Sequence, residues 1–266
     1  MVIDFGLPAE LVAILAGAAF LAGFVDAITG GGGLITVPAL LLAGLPPVAA
    51  IATNKLQGTF GVAAATLTFW RAGRIEPALA RPLFLAALAG GVLGAGLAHL
   101  APAAFLRLVI PVSLVASALS GLGAPMLGDA VAAPRLAVLP FALSFGIGIG
   151  LYDGIFGPGA GTFYLLALIL AAGHGMMRAI AHTKLMNFAS NIGALAFFLA
   201  AGHVLVALGL LMGASAAAGA HLGARTTLRH GGRLVRPLVV IVSIAMAVRL
   251  MLDPTHPLGA WLRNAG

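Results

Sequence analysis

GFVDAITGGGGL, residues 23–34, decides how this 266-residue chain is read, because it returns as GLYDGIFGPGAG at residues 150–161. Laid over each other, Gly23 falls on Gly150, Asp26 on Asp153, Ile28 on Ile155, Gly30 on Gly157 and Gly32 on Gly159. Each copy reads as an apolar helix ending in one acidic residue, then a glycine-rich break, then a short apolar segment. Each is followed by a polar cluster with the only lysine of its half, ATNKLQ at residues 52–57 and AHTKLMN at 181–187. The remaining residues read as the frame that brings the two copies together.

Composition sets the solvent. Hydrophobic residues make up 61% of the chain and charged residues 8%, with a mean hydropathy of +1.12. A soluble domain carries about 25% charged residues, so this chain could not cover its surface in water. Apolar runs recur along its whole length, which is the signature of a polytopic all-α membrane protein. The formal charge of +7 does not point to nucleic acid, because the basic residues fall in loops between apolar runs, as the positive-inside rule distributes them. Without cysteine, disulfides and thiolate metal sites are excluded. The first ten residues hold Asp4 and Glu10 and no Lys or Arg, unlike a cleavable signal, so the first apolar run is expected to remain as a helix.

Ten apolar segments are expected, at 9–28, 34–44, 47–70, 78–99, 103–121, 136–153, 161–173, 176–201, 203–222 and 235–252. A helix needs about 20 residues to cross the hydrocarbon core, so the second and seventh are half-helices, tilted or re-entrant, and the other eight are full spans. Non-helical backbone at membrane depth survives only where protein or a cavity covers it. Broken helices at matching places in two halves are the best sequence pointer to a transporter site. The halves are residues 1–121 and 136–266, joined by a Gly/Pro linker at 122–135 within one integrated transmembrane domain.

Loop charge suggests how the halves are oriented. Arg71, Arg74 and Arg81 sit between the third and fourth segments, where the second half has only His203. Arg225, Arg229, Arg233 and Arg236 sit between the ninth and tenth, where the first half has only Arg107. If positive loops face the cytoplasm, the repeats have inverted topology, residues 225–236 are a cytoplasmic loop and both termini lie outside. Each repeat must then cross an odd number of times, with the short segment and its flanks counted as one crossing.

Asp26 and Asp153 lie in apolar surroundings, where insertion of a charge costs about 2.5–3.5 kcal/mol and a cavity or partner is the rule. They read as proton-coupling or gating carboxylates, or as caps that fix the breaks. Lys55 and Lys184 sit mid-segment beside Thr53, Asn54, Thr183 and Asn187, an ammonium among amides and hydroxyls that suits an anion. The plainer alternative pairs each lysine with Asp26 or Asp153. Gly30, Gly31, Gly32 and Gly33, with Gly157, Gly159 and Gly161, let backbone N–H groups turn inward ahead of a short helix whose positive end favours an anion. Thr29, Thr36, Gln57, Thr162, Ser190 and Asn191 are further polar candidates, with interhelical hydrogen bonding the plainer role. His182 could relay protons or simply be a hydrogen-bonded core histidine. The histidines show no metal-ligand spacing, and neither a cofactor motif nor a nucleophile–base arrangement is present.

GFVDAITGGGGLITVPALLLAGLPP with ATNKLQ, and YDGIFGPGAGTF with AHTKLMNFASNIGAL, resemble the TauE/SafE family of sulfite and sulfonate permeases, over nearly the whole chain and nearest to its YfcA-type members. The resemblance implies a multi-pass bacterial inner-membrane transporter, not an enzyme, that exports small sulfur-containing anions such as sulfite or sulfonates. Its motif positions fall on Asp26, the first glycine run, Asn54, Lys55, Asp153, Gly157, Gly159, Lys184 and Asn187. The expected partners are a small anion and the lipid bilayer. Alternating access is the expected mechanism, with proton coupling compatible with Asp26, Asp153 or His182. A passive channel and a membrane-embedded enzyme or assembly factor are the competing readings. Small-residue faces at Gly90, Gly91 and Gly94 and at residues 213–223 suit packing within the chain or between copies in a homo-oligomer.

Overall fold

The computed structural model describes residues 7–106, 109, 110, 112, 113, 116 and 135–230, without the side chain of Thr29. The segment expected at 103–121 is thus only partly described. The linker at 122–135 (apart from Arg135), the segment at 235–252, Arg233 and Arg236 lie outside the described residues.

Among the described residues the regular elements are helices. They are α1 (Ala9–Thr29), α2 (Gly33–Leu42), α3 (Pro47–Arg71), α4 (Pro77–Leu100), α5 (Val138–Ile155), α6 (Ala160–Leu170), α7 (Met176–Ala200) and α8 (Val206–His230). Proline opens α3 and α4, where its missing N–H has no intrahelical partner to lose. In α5 the Ser144 hydroxyl donates to the Pro140 carbonyl at 2.7 Å. That competes with the helical ladder, and residues Ala142–Gly146 widen into a π turn. Four helices, α1, α4, α5 and α8, are long and apolar enough to cross a membrane. The helices α3 and α7 are 25 residues each, but their polar clusters dilute the hydropathy.

Each short helix turns back toward the end at which the helix before it began. Val12 and Leu15 near the start of α1 share one apolar cluster with Leu40 of α2, Leu45 after it, Ala50 of α3 and Leu208 of α8. The end of α2 therefore lies where α1 began. The second copy does the same: Arg135 and Leu136, just ahead of α5, donate their backbone N–H groups to the Ala171 carbonyl at the end of α6, at 3.0 and 3.1 Å. This hairpin opens at the other end of the bundle. Phe141 and Leu168 cluster with Phe69 at the end of α3 and Met176 at the start of α7. The two short segments, expected as tilted or re-entrant half-helices, form with α1 and α5 a pair of hairpins that open at opposite ends of α3. Ten or eleven helical residues rise only about 15–17 Å, roughly half of a hydrocarbon core of about 30 Å.

Packing exchanges helices between the halves. Helix α4 lies against α5 and α7, and α8 lies against α1 and α3, while α3 meets α7 at the centre. Small residues permit this closeness. A Cβ on Gly94 would strike the Leu151 carbonyl, one on Gly154 the Gly91 carbonyl, and one on Gly219 the Phe20 carbonyl. The small-residue faces are thus used for packing within the chain.

Charge is equally segregated. Arg71, Arg74, Arg81, Arg135, Arg178, Arg225 and Arg229 all belong to the end where α3 finishes and α4 begins. Arg225 and Arg229 are not in a loop as expected but on the last turns of α8, because Ala220, Gly223, Ala224 and Thr227 continue its buried face.

Candidate functional site

The glycine breaks place the two copies in contact. Gly30, at φ 87°, ends α1, and its N–H returns to the Asp26 carbonyl at 2.8 Å. Gly159, at φ 83°, precedes α6. Gly30 lies so close to Gly161 that a Cβ on either would sit 2.6 Å from the other's backbone. Both breaks therefore need glycine, the first for its left-handed backbone and for lack of space.

Around this contact each lysine reaches across to the other copy's aspartate. Lys55 Nζ of α3 donates to Asp153 Oδ1 of α5 at 2.8 Å, with both side chains buried. Asp153 Oδ2 accepts from Ser190 Oγ at 2.5 Å and from Asn191 Nδ2 at 3.2 Å, both on α7. Four hydrogen-bonding groups from three helices are thus closed on one another. Lys184 of α7 crosses to Asp26 of α1 in a different way. Its Nζ donates to the Asp26 backbone carbonyl and lies 3.4 Å from Oδ2. A cation at the last carbonyls of a helix is favoured by the helix dipole. Asp26 Oδ1 accepts the Gly32 N–H at 3.1 Å, so this carboxylate caps the break itself. The duplicated pairs are not equivalent: the Asp26 side chain is 13% exposed and Asp153 2%.

A cavity of about 40 Å³ lies between these groups, lined by Asp26, Asn54, Lys55, Gln57, Asp153 and Asn187 among others. One water requires roughly 10–15 Å³ of such space, so the cavity holds a few waters or one compact ion. Asn54 is held by its carbonyl, which accepts from Thr36 Oγ1 at 2.6 Å and from Gln57 Nε2 at 2.9 Å. Its Nδ2 is left on the side of Gly157, where a Cβ would meet Lys55 Nζ at 3.3 Å and Asn54 Nδ2 at 3.5 Å. The backbone of Gly157 thus leaves two donors accessible from one direction. Gln57 Oε1 is buried with no hydrogen-bond partner.

Of the residues expected from the sequence, Lys55, Asn54, Asn187, Asp26, Asp153, Gly30, Gly32, Gly33 and Gly157 line this cavity. Lys184 stands behind Asp26. Gly161 packs on Gly30, and Gly31 is buried without lining the cavity. Thr53 faces elsewhere and accepts the Leu205 N–H at 3.1 Å. Thr183 is buried, and its hydroxyl has no partner. His182 is placed near the arginine-rich end, one ring nitrogen accepting the Glu76 N–H at 3.3 Å and the other 2.9 Å from the Arg178 carbonyl. Beside it His174, in the loop before α7, is held near pKa 4 by burial and then by the Arg178 charge. The sequence reading did not single out Gly58, Gly61 and Ala216 as cavity wall. The spacing of Gly58 and Gly61 after Lys55, on the same face of α3, was the available signal.

Hairpins that meet inside a bundle of apolar helices, around buried lysine–aspartate pairs, define a multi-pass membrane protein with a polar centre. The sulfite exporter TauE/SafE family matches residues 15–250, and the chain belongs to that family. A probable membrane transporter protein, ORF9, of a Sinorhizobium species is 47% identical over 253 residues, covering 95% of this chain and 97% of its own. The probable membrane transporter protein YfcA of Escherichia coli K12 is 41% identical over 243 residues, covering 91% and 90%. A probable membrane transporter protein of Haemophilus influenzae is 40% identical over 250 residues, covering 94% and 97%. The family and these relatives indicate a membrane transporter. No solved structure matches the chain.

Proposed function

We propose that this protein is a secondary transporter that exports small sulfur-containing anions, sulfite or compact sulfonates, across the bacterial inner membrane. The observation that carries the reading is the meeting of the two glycine breaks beside Lys55, Asn54 and the two aspartates. Lys55 is the anion contact, Asn54 Nδ2 adds a donor, and Gly157 keeps the approach open. Asp26, the more exposed carboxylate, is the proton site.

Charge balance ties these roles together. Two lysines and two aspartates sum to zero, and an extra buried charge is expensive. A monovalent anion on Lys55 is therefore accompanied by a proton on Asp26, which leaves the loaded cavity neutral; the proton leaves with the anion, and export runs down the anion's own outward gradient. Lys184 remains anchored to the Asp26 carbonyl and holds the end of α1 in place. The halves are inverted-topology repeats, as the opposed hairpins support, and rocking of one hairpin bundle against the other gives alternating access. The arginine-rich end faces the cytoplasm. The size of the cavity favours a compact anion over bulky sulfonates.

Sulfite flux into proteoliposomes tests this. Saturable flux that follows a pH gradient supports the reading. Flux that grows linearly with concentration and ignores the gradient would make the protein a passive anion channel.

A further inference from the structure

At the end of the bundle opposite the described arginines, two histidines from different halves face each other. His99 is exposed on the last turn of α4, and His203 lies in the loop between α7 and α8. His99 Nδ1 and His203 Nε2 are 2.8 Å apart. One ring donates its N–H and the other accepts it, with the roles set by the tautomers, so the two side chains already turn a ring nitrogen each toward a single point. Each ring is steadied from behind: His99 packs edge-on to Phe197 with centroids 5.8 Å apart, and His203 lies 6.4 Å from Phe198.

We propose that His99 and His203 form a binding site for a divalent transition-metal cation of the Zn²⁺ or Cu²⁺ type, completed by water. Zinc–nitrogen bonds of about 2.0–2.1 Å at a tetrahedral angle place two ligand nitrogens about 3.3 Å apart. Opening the observed pair by half an ångström or so, within reach of a loop residue, creates that bite. Imidazole nitrogens select the later first-row metals over Mg²⁺ or Ca²⁺, which prefer oxygen. The field permits it as well, since the seven described arginines lie at the far end of the bundle. The cation joins α4 of the first half to the α7–α8 loop of the second, at the end facing away from the cytoplasm.

Copper titration of tag-free protein, read by electron paramagnetic resonance, decides the matter. One Cu²⁺ per chain with two coupled nitrogens is expected in the wild type. That signal is lost in both His99→Ala and His203→Ala and kept in His230→Ala, whose exposed histidine lies at the other end. Each variant is first shown to elute as folded protein. A wild type without a two-nitrogen signal, or one that survives either substitution, overturns the proposal and leaves the pair a hydrogen-bonded contact between rings.

Discussion

At the residue scale, the two lysine–aspartate pairs came from one duplicated pattern but now have different work. Asp153 is closed in by Lys55, Ser190 and Asn191. Removing one partner of a buried pair costs about 3–5 kcal/mol, whereas replacing both by apolar groups is often neutral. Asp153→Asn is therefore expected to lower the thermal unfolding temperature sharply. Lys55→Met with Asp153→Leu should recover most of that stability without recovering flux. Equal loss of stability in the single and double variants would show that the pair itself is not what holds the helices. Asp26→Asn keeps the Gly32 cap, because an amide oxygen still accepts that N–H. It should lose less stability than Asp153→Asn, because Lys184 keeps its bond to the backbone carbonyl of residue 26, and transport with a rate that no longer responds to the pH gradient. Sequence alone showed that these four ionisable residues belong together and allowed for their pairing. Which lysine meets which aspartate was not legible, since crossing between halves depends on tertiary packing.

At the scale of the element, helix boundaries were largely legible because prolines, glycines and apolar runs mark them. The expected segments at 47–70 and 176–201 became Pro47–Arg71 and Met176–Ala200. The end of α8 was misread. Arg225 and Arg229 look like a loop in sequence, yet Ala220, Gly223, Ala224 and Thr227 keep a buried face that carries the helix on to His230. Glycines gave an ambiguous signal for a similar reason, since a packing glycine and an idle one are alike in sequence. Gly94 is pressed against the Leu151 carbonyl, while a Cβ on Gly148 meets nothing within 4 Å. Gly94→Ala should destabilise by about 1–3 kcal/mol through overpacking. Gly148→Ala should be neutral or stabilise by roughly 0.5–1 kcal/mol, the usual gain of Ala over Gly in a helix. Chemical or thermal unfolding of the two variants side by side checks both, and similar values would contradict the packing account.

At the scale of the molecule, the duplication and membrane class could be read from composition and repetition. The exchange of α4 and α8 between halves could not, because small-residue faces do not say which partner they meet. The arrangement makes an orientation prediction that is easy to examine, since the chain contains no cysteine. Arg229→Cys should react with an impermeant maleimide only from the cytoplasmic side, and Val206→Cys only from the opposite side. Labelling of both from one side would contradict a crossing by α8, and reversed sidedness would contradict the orientation. The central claim, that Lys55 holds the anion and Asp26 the accompanying proton, is tested most directly by sulfite flux in proteoliposomes under an imposed pH gradient. Wild type, Lys55→Gln and Asp26→Asn are compared at equal amounts of folded protein. The account predicts saturable, gradient-dependent flux in wild type, a fall of about tenfold or more in Lys55→Gln (a contact of roughly 1.4 kcal/mol), and gradient-independent flux in Asp26→Asn. Undiminished flux in Lys55→Gln, with the gradient still felt by Asp26→Asn, would contradict it.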